Sequence, residues 1–547
     1  MNQNVSSKKK NSFLMQGSIL ALAGIITKLI GFIYRVPMSN LLGEQGNGIY
    51  SVAFGIYNIA LTLSSYSLPL AVSKLVSARL AKKEYKNAWR IFQDALLFAL
   101  VAGMTACLIL FFGADALETL YAREGLAKPL KVLAPTTFVV ALLGVFRGYF
   151  QGKGTMMPTA FSQIFEQIVN AIVSVFAAWQ FIRIYKNSTD EAAYGAAGGT
   201  VGTLAGAVTA LLFVVFVFIA YLPTVRKQNA RDRSENESHT RLYGTLLLTI
   251  FPVILSQTIY QIGYTIDDFL FGNLMAEHQI ADQVISSLQG VFNTQYNLLI
   301  NLPVAVASAM AASTIPSIVA SGVQGRRKER NDKIRVVVKM NMAIAFPSAV
   351  GLALLSRPII TLLFPSLVTY RDVAVNLLLT GSTAVIFYAL STITGAVLQG
   401  GNYMRIPVIH SAVSLTIHIA VVYVLLKYTE LGVYALIIGN VSFPTLVSLL
   451  NCISVHKKMG YRWEMKRTFF LPFFASVLMG VVIFLTNYLV QLIFSMFEGM
   501  EAACNMVSLV CAGGLGVFVY GAVILGTRCF SKEEMRGIPL LRKFAGS

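Results

Sequence analysis

Fourteen apolar stretches follow one another along the chain, separated by short charged segments, and each is near the ~20 residues a helix needs to cross a ~30 Å hydrocarbon core. A water-soluble core is not built from so regular a series. The expected fold class is an all-α polytopic membrane protein of 14 transmembrane helices. The approximate spans are 13–38, 48–75, 88–113, 129–152, 157–182, 195–222, 242–272, 283–320, 334–356, 373–400, 406–426, 432–455, 468–493 and 502–527. The eighth is long enough to tilt, to kink at Pro303 or to run on beyond the membrane. The first does not read as a cleavable signal peptide: it is too long, Lys28 and Arg35 interrupt it, and no small-x-small site follows.

A chain that is 56% hydrophobic and 13% charged yet carries a formal charge of +19 calls for an explanation. Nucleic-acid binding would need a solvated basic face. Here the cations occur as short runs between spans, so no nucleic-acid partner is expected. Basic residues in short loops stay on the cytoplasmic side. Lys8, Lys9 and Lys10, the group Arg79, Lys82, Lys83, Lys86 and Arg90, and the segments 226–241, 326–335 and 457–467 all fall on one side. The tail with Arg528, Lys532, Arg536, Arg542 and Lys543 joins them, whereas Glu44, Glu277, Asp282, Glu498 and Glu501 mark the opposite side. Both termini are expected in the cytoplasm, and the net charge reports topology rather than substrate.

Cys107, Cys452, Cys504, Cys511 and Cys529 lie in or beside apolar helices without metal-ligand spacing or a disulfide framework. They read as small apolar residues. The chain contains no phosphate-binding Gly-x-x-x-x-Gly-Lys-Ser/Thr loop, no His-Glu-x-x-His and no Gly-x-Ser-x-Gly. A primary pump is thereby excluded, and no catalytic residue, metal or cofactor is expected beyond coupling to an ion gradient or the membrane potential.

The chain matches itself in three places. Gly31-Phe32-Ile33-Tyr34-Arg35 aligns with Gly263-Tyr264-Thr265-Ile266-Asp267, and Leu68-Pro69-Leu70-Ala71-Val72 with Leu302-Pro303-Val304-Ala305-Val306. Gln151-Gly152 with Pro158 resembles Gln399-Gly400 with Pro407. Each match joins span n to span n+6, the pattern of duplicated transporter bundles. Two six-helix lobes related by a pseudo-two-fold axis along the membrane normal are expected, plus two C-terminal helices. The division is a first lobe 1–225, a basic cytoplasmic linker 226–241, a second lobe 242–458, and the last two spans with the tail, 459–547.

An ion in lipid costs at least ~2.5 kcal/mol, so intramembrane charges face a cavity or a partner. Lys74, Asp94 and Lys339 lie near span ends and are expected to snorkel. On span one, Gly24, Lys28, Gly31 and Arg35 share one face, with Lys28 near mid-membrane. Two cations beside small residues suggest a cavity-facing anion site. The corresponding stripe of span seven is Ser256, Tyr260, Gly263 and Asp267, so Arg35 is expected to pair with Asp267 or Asp268 as an outer gate. Span five carries Ser162, Glu166, Asn170 and Ser174, with Gln163 and Gln167 alongside; its polar face is divided between helix contacts and a cavity role. His410, Ser411, Ser414 and His418 on span eleven, and Gly198, Gly202 and Gly206 on span six, read as helix-packing residues.

Taken together, the fourteen spans, the segment Lys28-Leu29-Ile30-Gly31-Phe32-Ile33-Tyr34-Arg35-Val36-Pro37 leading to Leu41-Leu42-Gly43, and the two Gln-Gly turns resemble a known family. It is the polysaccharide-exporter branch of the multidrug/oligosaccharidyl-lipid/polysaccharide (MOP) flippase superfamily. The chain is similar to its stage V sporulation protein B and MurJ-type lipid II flippase groups. The resemblance implies a flippase of the bacterial cytoplasmic membrane that moves an undecaprenyl-pyrophosphate-linked glycan by alternating access. It implies Arg35, and after it Lys28, as pyrophosphate-binding residues; Glu166, Asp267, Asp268, Asn170, Gln295 and Asn297 are the polar or gating candidates. Some lipid II flippases carry an Arg on span eight, where this chain has Gln295, Asn297 and Asn301, and an acid where Val36 stands, which leaves room for another lipid-linked glycan. The expected partners are that glycan and membrane lipids, and the expected state is a monomer. The competing reading is a cation-coupled multidrug exporter.

Overall fold

With no water in a hydrocarbon core, a backbone must bond its own N–H and C=O groups, and a helix does so within one segment. The computed structural model describes residues 2–323, 326–496, 499–531 and 534, and is helical with no strand among the described residues. Of the residues discussed above, Glu498, Lys532, Arg536, Arg542 and Lys543 lie outside the described ones, as do the side chains of Lys8, Lys9, Lys10, Ser256, Tyr260 and Tyr264. Among the described residues ten segments are long and apolar enough to cross a membrane, or eleven if a bent pair is one span. The first of these, Leu22–Ala81, holds two of the expected stretches. The protein is therefore an all-α, multi-pass membrane protein.

The chain divides into two compact units, Met1–Gly290 and Val291–Ser547. The first contains α1 (Asn2–Ser64), α2 (Leu68–Ala81), α3 (Tyr85–Phe112), α4 (Ala114–Leu120) and α5 (Ala127–Gly152). It continues with α6 (Met157–Ile184), α7 (Glu191–Arg231), α8 (His239–Glu277) and α9 (Asp282–Gly290). α1 is two helices meeting at Gly43, whose φ of +66° suits glycine. The second expected span is interrupted at residues 65–67. Pro69 cannot donate to the carbonyl four residues back, so the helix stops and restarts at Leu68. α7 is 41 residues long, about 60 Å, and carries the segment from Arg226 to Arg231 beyond the membrane.

Residues 232–238 then strap across the basic ends of α2 and α3. Asp232 accepts from the Lys86 amide (2.7 Å), Glu237 pairs with Arg79 (2.6 Å), and the Glu235 carbonyl accepts from Asn87 (3.0 Å). The predicted basic linker is thus held by its acids. Asp94 does not snorkel: it is buried and bonded to His239 at the start of α8 (2.7 Å). Burial opposes ionisation of Asp232, but the amides of Lys86 and Ser234 outweigh it and hold its pKa below the usual 3.8. Because the folded value is the lower one, the contribution is present above the unfolded pKa and lost as pH falls through the folded one. The protection of the Lys86 and Ser234 amides relative to their intrinsic exchange rates is expected to stay high from about pH 8 to 5 and to be lost only as Asp232 protonates, below the usual carboxylate range. Fast exchange at neutral pH would refute the strap.

The second unit opens with a π-helical turn, Val291–Tyr296, followed by α10 (Asn297–Val323). The irregularity of the eighth span lies at this turn, whereas Pro303 sits inside α10. Next come α11 (Arg327–Leu354), α12 (Ser356–Leu363), α13 (Arg371–Gly381), α14 (Ala384–Gly400), α15 (Arg405–Tyr428) and α16 (Val433–Met459). A second π turn, Lys466–Phe470, leads into α17 (Leu471–Phe494), and α18 (Glu501–Gly526) follows. The C-terminal pair α17 and α18 packs through Met479, Ile483 and Ala512 onto Leu355.

Lys339, expected to snorkel, is instead 1% exposed and paired with Glu464 (3.2 Å) and Glu534 (3.0 Å). A charge removed from water needs such partners. Lys339→Met, which strands two carboxylates, is expected to destabilise the protein by about 3 kcal/mol, and adding Glu464→Gln and Glu534→Gln should recover most of it. Equal thermal stability of Lys339→Met and the parent would count against the clamp.

The two Gln-Gly turns share one geometry. After α5 the Gly154 amide donates to the Gln151 carbonyl and Thr155 to Phe150; after α14 Asn402 donates to Gln399 and Tyr403 to Leu398. Gly154 and Asn402 both adopt positive φ, +81° and +69°.

Candidate functional site

α1 presents two distinct exposed stripes. Leu22, Ile25, Leu29 and Ile33 form an apolar one suited to lipid. Lys28 and Arg35 are also exposed, roughly a third of a turn away, while Ala23, Tyr34 and Met38 point into the bundle. Hydrocarbon cannot accommodate the second stripe. A water-filled or ligand-filled space is the setting that the anion-site expectation requires of it. Among the described residues neither cation is ion-paired; Arg35 lies beside Tyr34 and Tyr50, with the Tyr34 hydroxyl in hydrogen-bonding reach.

Tyr34 links this stripe to the polar face of α6. Asn170 Nδ2 donates to the Tyr34 hydroxyl (3.3 Å), and Ser174 donates to Asn170 Oδ1 (2.9 Å). One turn before Asn170, Glu166 accepts from Arg147 Nη2 (2.7 Å), while Arg147 Nε donates to Ser162 (2.9 Å). Tyr57 lies within electrostatic reach of Glu166. α6 can bring this face so close because α7 offers glycines. A Cβ at Gly206 would sit 2.5 Å from the Glu166 carbonyl oxygen, and one at Gly202 2.5 Å from that of Asn170.

Asp267 and Asp268 are buried on α8, and the described neighbours of Arg35 are Tyr34 and Tyr50. Asp268 faces Gly55 of α1, with Tyr121 and Arg123 as its electrostatic neighbours. A seam lies at the end of the unit opposite the basic strap. There the 2%-exposed Arg123 pairs with Asp282, Asn273 donates to the Leu120 carbonyl (3.0 Å), and Tyr121 meets Phe269 edge-on. Arg123 lies in a loop between spans, where sequence gives it no signal. Arg147 lies inside the fourth expected span, five residues from the end of α5, and is not among the intramembrane charges singled out from the sequence; its partner marks it out.

The remaining candidates lie in the second unit. Gln295 is buried in the π turn, and Asn297 donates to Asn293 (3.4 Å). His410 bonds to Asn451 (2.8 Å) and His418 to the Gly439 carbonyl (3.1 Å), so the histidines serve helix packing. Among the described residues no group of three or more His, Cys, Asp or Glu could hold a metal. A hollow of about 750 Å³ opens at the start of α11, but its Arg326 and Lys333 are paired with Glu329 on the same helix.

The chain as a whole is similar to known proteins. The chain is 24% identical over 539 residues to the lipid II flippase MurJ of Bacillus subtilis, covering 94% of this chain and 96% of that one. It is 26% identical over 545 residues to the stage V sporulation protein B of the same organism, covering 97% and 98%. Among solved structures it resembles a lipid II flippase MurJ in an inward closed conformation, with a TM-score of 0.66 at 15% identity over 93% of this chain and 99% of that one. An inward-facing multidrug resistance MATE transporter of the MOP superfamily gives 0.63 at 16% identity, over 79% and 94%. The family model described as polysaccharide biosynthesis protein matches residues 13–322, more than half of the chain and all the helices that frame Lys28 and Arg35. On that match the chain belongs to the polysaccharide biosynthesis protein family, and it shares its fold with transporters of the MOP superfamily.

Proposed function

We propose that the protein is a flippase that moves an undecaprenyl-pyrophosphate-linked glycan, lipid II or a related unit, across the bacterial cytoplasmic membrane by alternating access. One observation carries the reading: Lys28 and Arg35 form an exposed cationic stripe with no ion-pair partner among the described residues, set apart from the apolar stripe of the same helix. A pyrophosphate is a multivalent anion, which Arg holds by bidentate bonds and Lys as a point charge. The basic segments between spans lie in the cytoplasm on this reading, as the positive-inside rule requires. The similarity to the lipid II flippase MurJ of Bacillus subtilis supports the same substrate class.

A cation exporter would need an acid open to its substrate. Glu166 is instead engaged by Arg147, and Asp268 lies beside Arg123, so the stripe favours anions. The protein is thus read as a transporter without catalytic residues. In proteoliposomes it should translocate a lipid-linked pyrophosphate glycan and not a cationic dye; export of the dye alone would overturn the proposal.

A further inference from the structure

The ion pair between Arg147 and Glu166 joins α5 to α6. α1 and α6 run parallel in one register: Gly31 meets Gln167, and Tyr34 accepts from Asn170, an offset of 136 both times. On that register Glu166 lies level with residue 30, in depth between Lys28 and Arg35. The pair is partly accessible, 12% for the Arg147 side chain and 23% for Glu166. Tyr57 of α1 and Arg147 of α5 face the carboxylate. A cation on α5 is therefore placed at the depth of the anion site and neutralised there by one acid.

We propose that Arg147 is a third cation of the site, held by Glu166 while the site is empty and passed to the diphosphate when it enters. The inference rests on the flippase reading above. Arg147 is suited to the exchange because its fork bonds a carboxylate or a phosphate with the same geometry. Glu166 keeps the empty site from carrying three unopposed charges in a low-dielectric space. It also offers Arg147 a partner to return to, which assists release on the far side.

The test is the affinity of the full-length protein in nanodiscs for inorganic pyrophosphate, measured by calorimetry. Glu166→Gln should tighten binding about fivefold to tenfold, because Arg147 no longer leaves a carboxylate. Arg147→Met should weaken it about tenfold, and Arg147→Met with Glu166→Gln should bind no tighter than Arg147→Met alone. The double variant strands no charge and so remains folded where the single one fails to. A Glu166→Gln gain that persists without Arg147, or no gain, would overturn the role of Arg147 alone. Absence of binding by the parent, or binding that survives loss of both Lys28 and Arg35, would overturn the flippase reading with it.

Discussion

Arg35→Ala is expected to reduce translocation of a lipid-linked pyrophosphate in proteoliposomes by about a hundredfold while leaving the thermal midpoint nearly unchanged. The two effects separate because of where the side chain sits. Arg35 is exposed and, among the described residues, unpaired, so its removal opens no cavity and strands no buried carboxylate. Its contribution is to the ligand. Two charge-assisted bonds at ~1.5 kcal/mol or more each, made away from bulk water, amount to about two orders of magnitude. Arg35→Lys keeps the charge and loses the fork, so an intermediate rate is expected. Lys28→Ala, which removes a point charge, should cost less than Arg35→Ala. Normal transport by Arg35→Ala, or loss of the folded protein, would show that the stripe is structural.

Gly48→Val is expected to abolish transport through a different route. The part of α1 beyond Gly43 crosses α9 backbone on backbone: a Cβ at Gly48 would overlap the Ser286 carbonyl, and one at Gly290 would sit 2.6 Å from the Glu44 carbonyl oxygen and 2.8 Å from the Gly48 amide. No rotamer change relieves an overlap with backbone, so α1 and α9 must separate. An alternating-access carrier that cannot close one end leaks or stalls. Transport is expected to fall below about a tenth of the parent rate, with Gly48→Ala intermediate. A cysteine at Ser287, buried in the parent, should become reactive to an impermeant maleimide. Full transport by Gly48→Val, with Ser287→Cys still protected, would mean the crossing is not needed for closure.

The legibility of this fold has a definite boundary. Hydrophobic length and loop charge are local properties, and they locate the helices and their basic ends, because the bilayer imposes the same thickness on every span. The repeat is legible too: Gln151-Gly152 and Gln399-Gly400 end their helices with the same hydrogen bonds. Charge pairing is not local. Lys339 and Asp94 read as snorkelling residues because a sequence shows how near they are to a helix end, and not that Glu464, Glu534 or His239 arrives there from elsewhere. The break before Pro69 was within reach of sequence, since proline cannot continue the preceding helix, whereas the π turn at Val291–Tyr296 depends on packing.

By itself, then, the sequence determines that the chain crosses a membrane many times, that one side is basic, and that Lys28 and Arg35 share one face of the first helix. These follow from the cost of burying ions and from a fixed helical period. The tertiary structure alone decides which charges are already satisfied: Glu166 by Arg147, Asp282 by Arg123, Lys339 by two acids, with Lys28 and Arg35 left exposed. An ion's partner is set by which helices pack together, and that depends on small residues such as Gly48, Gly202 and Gly206 meeting the right backbone across the bundle.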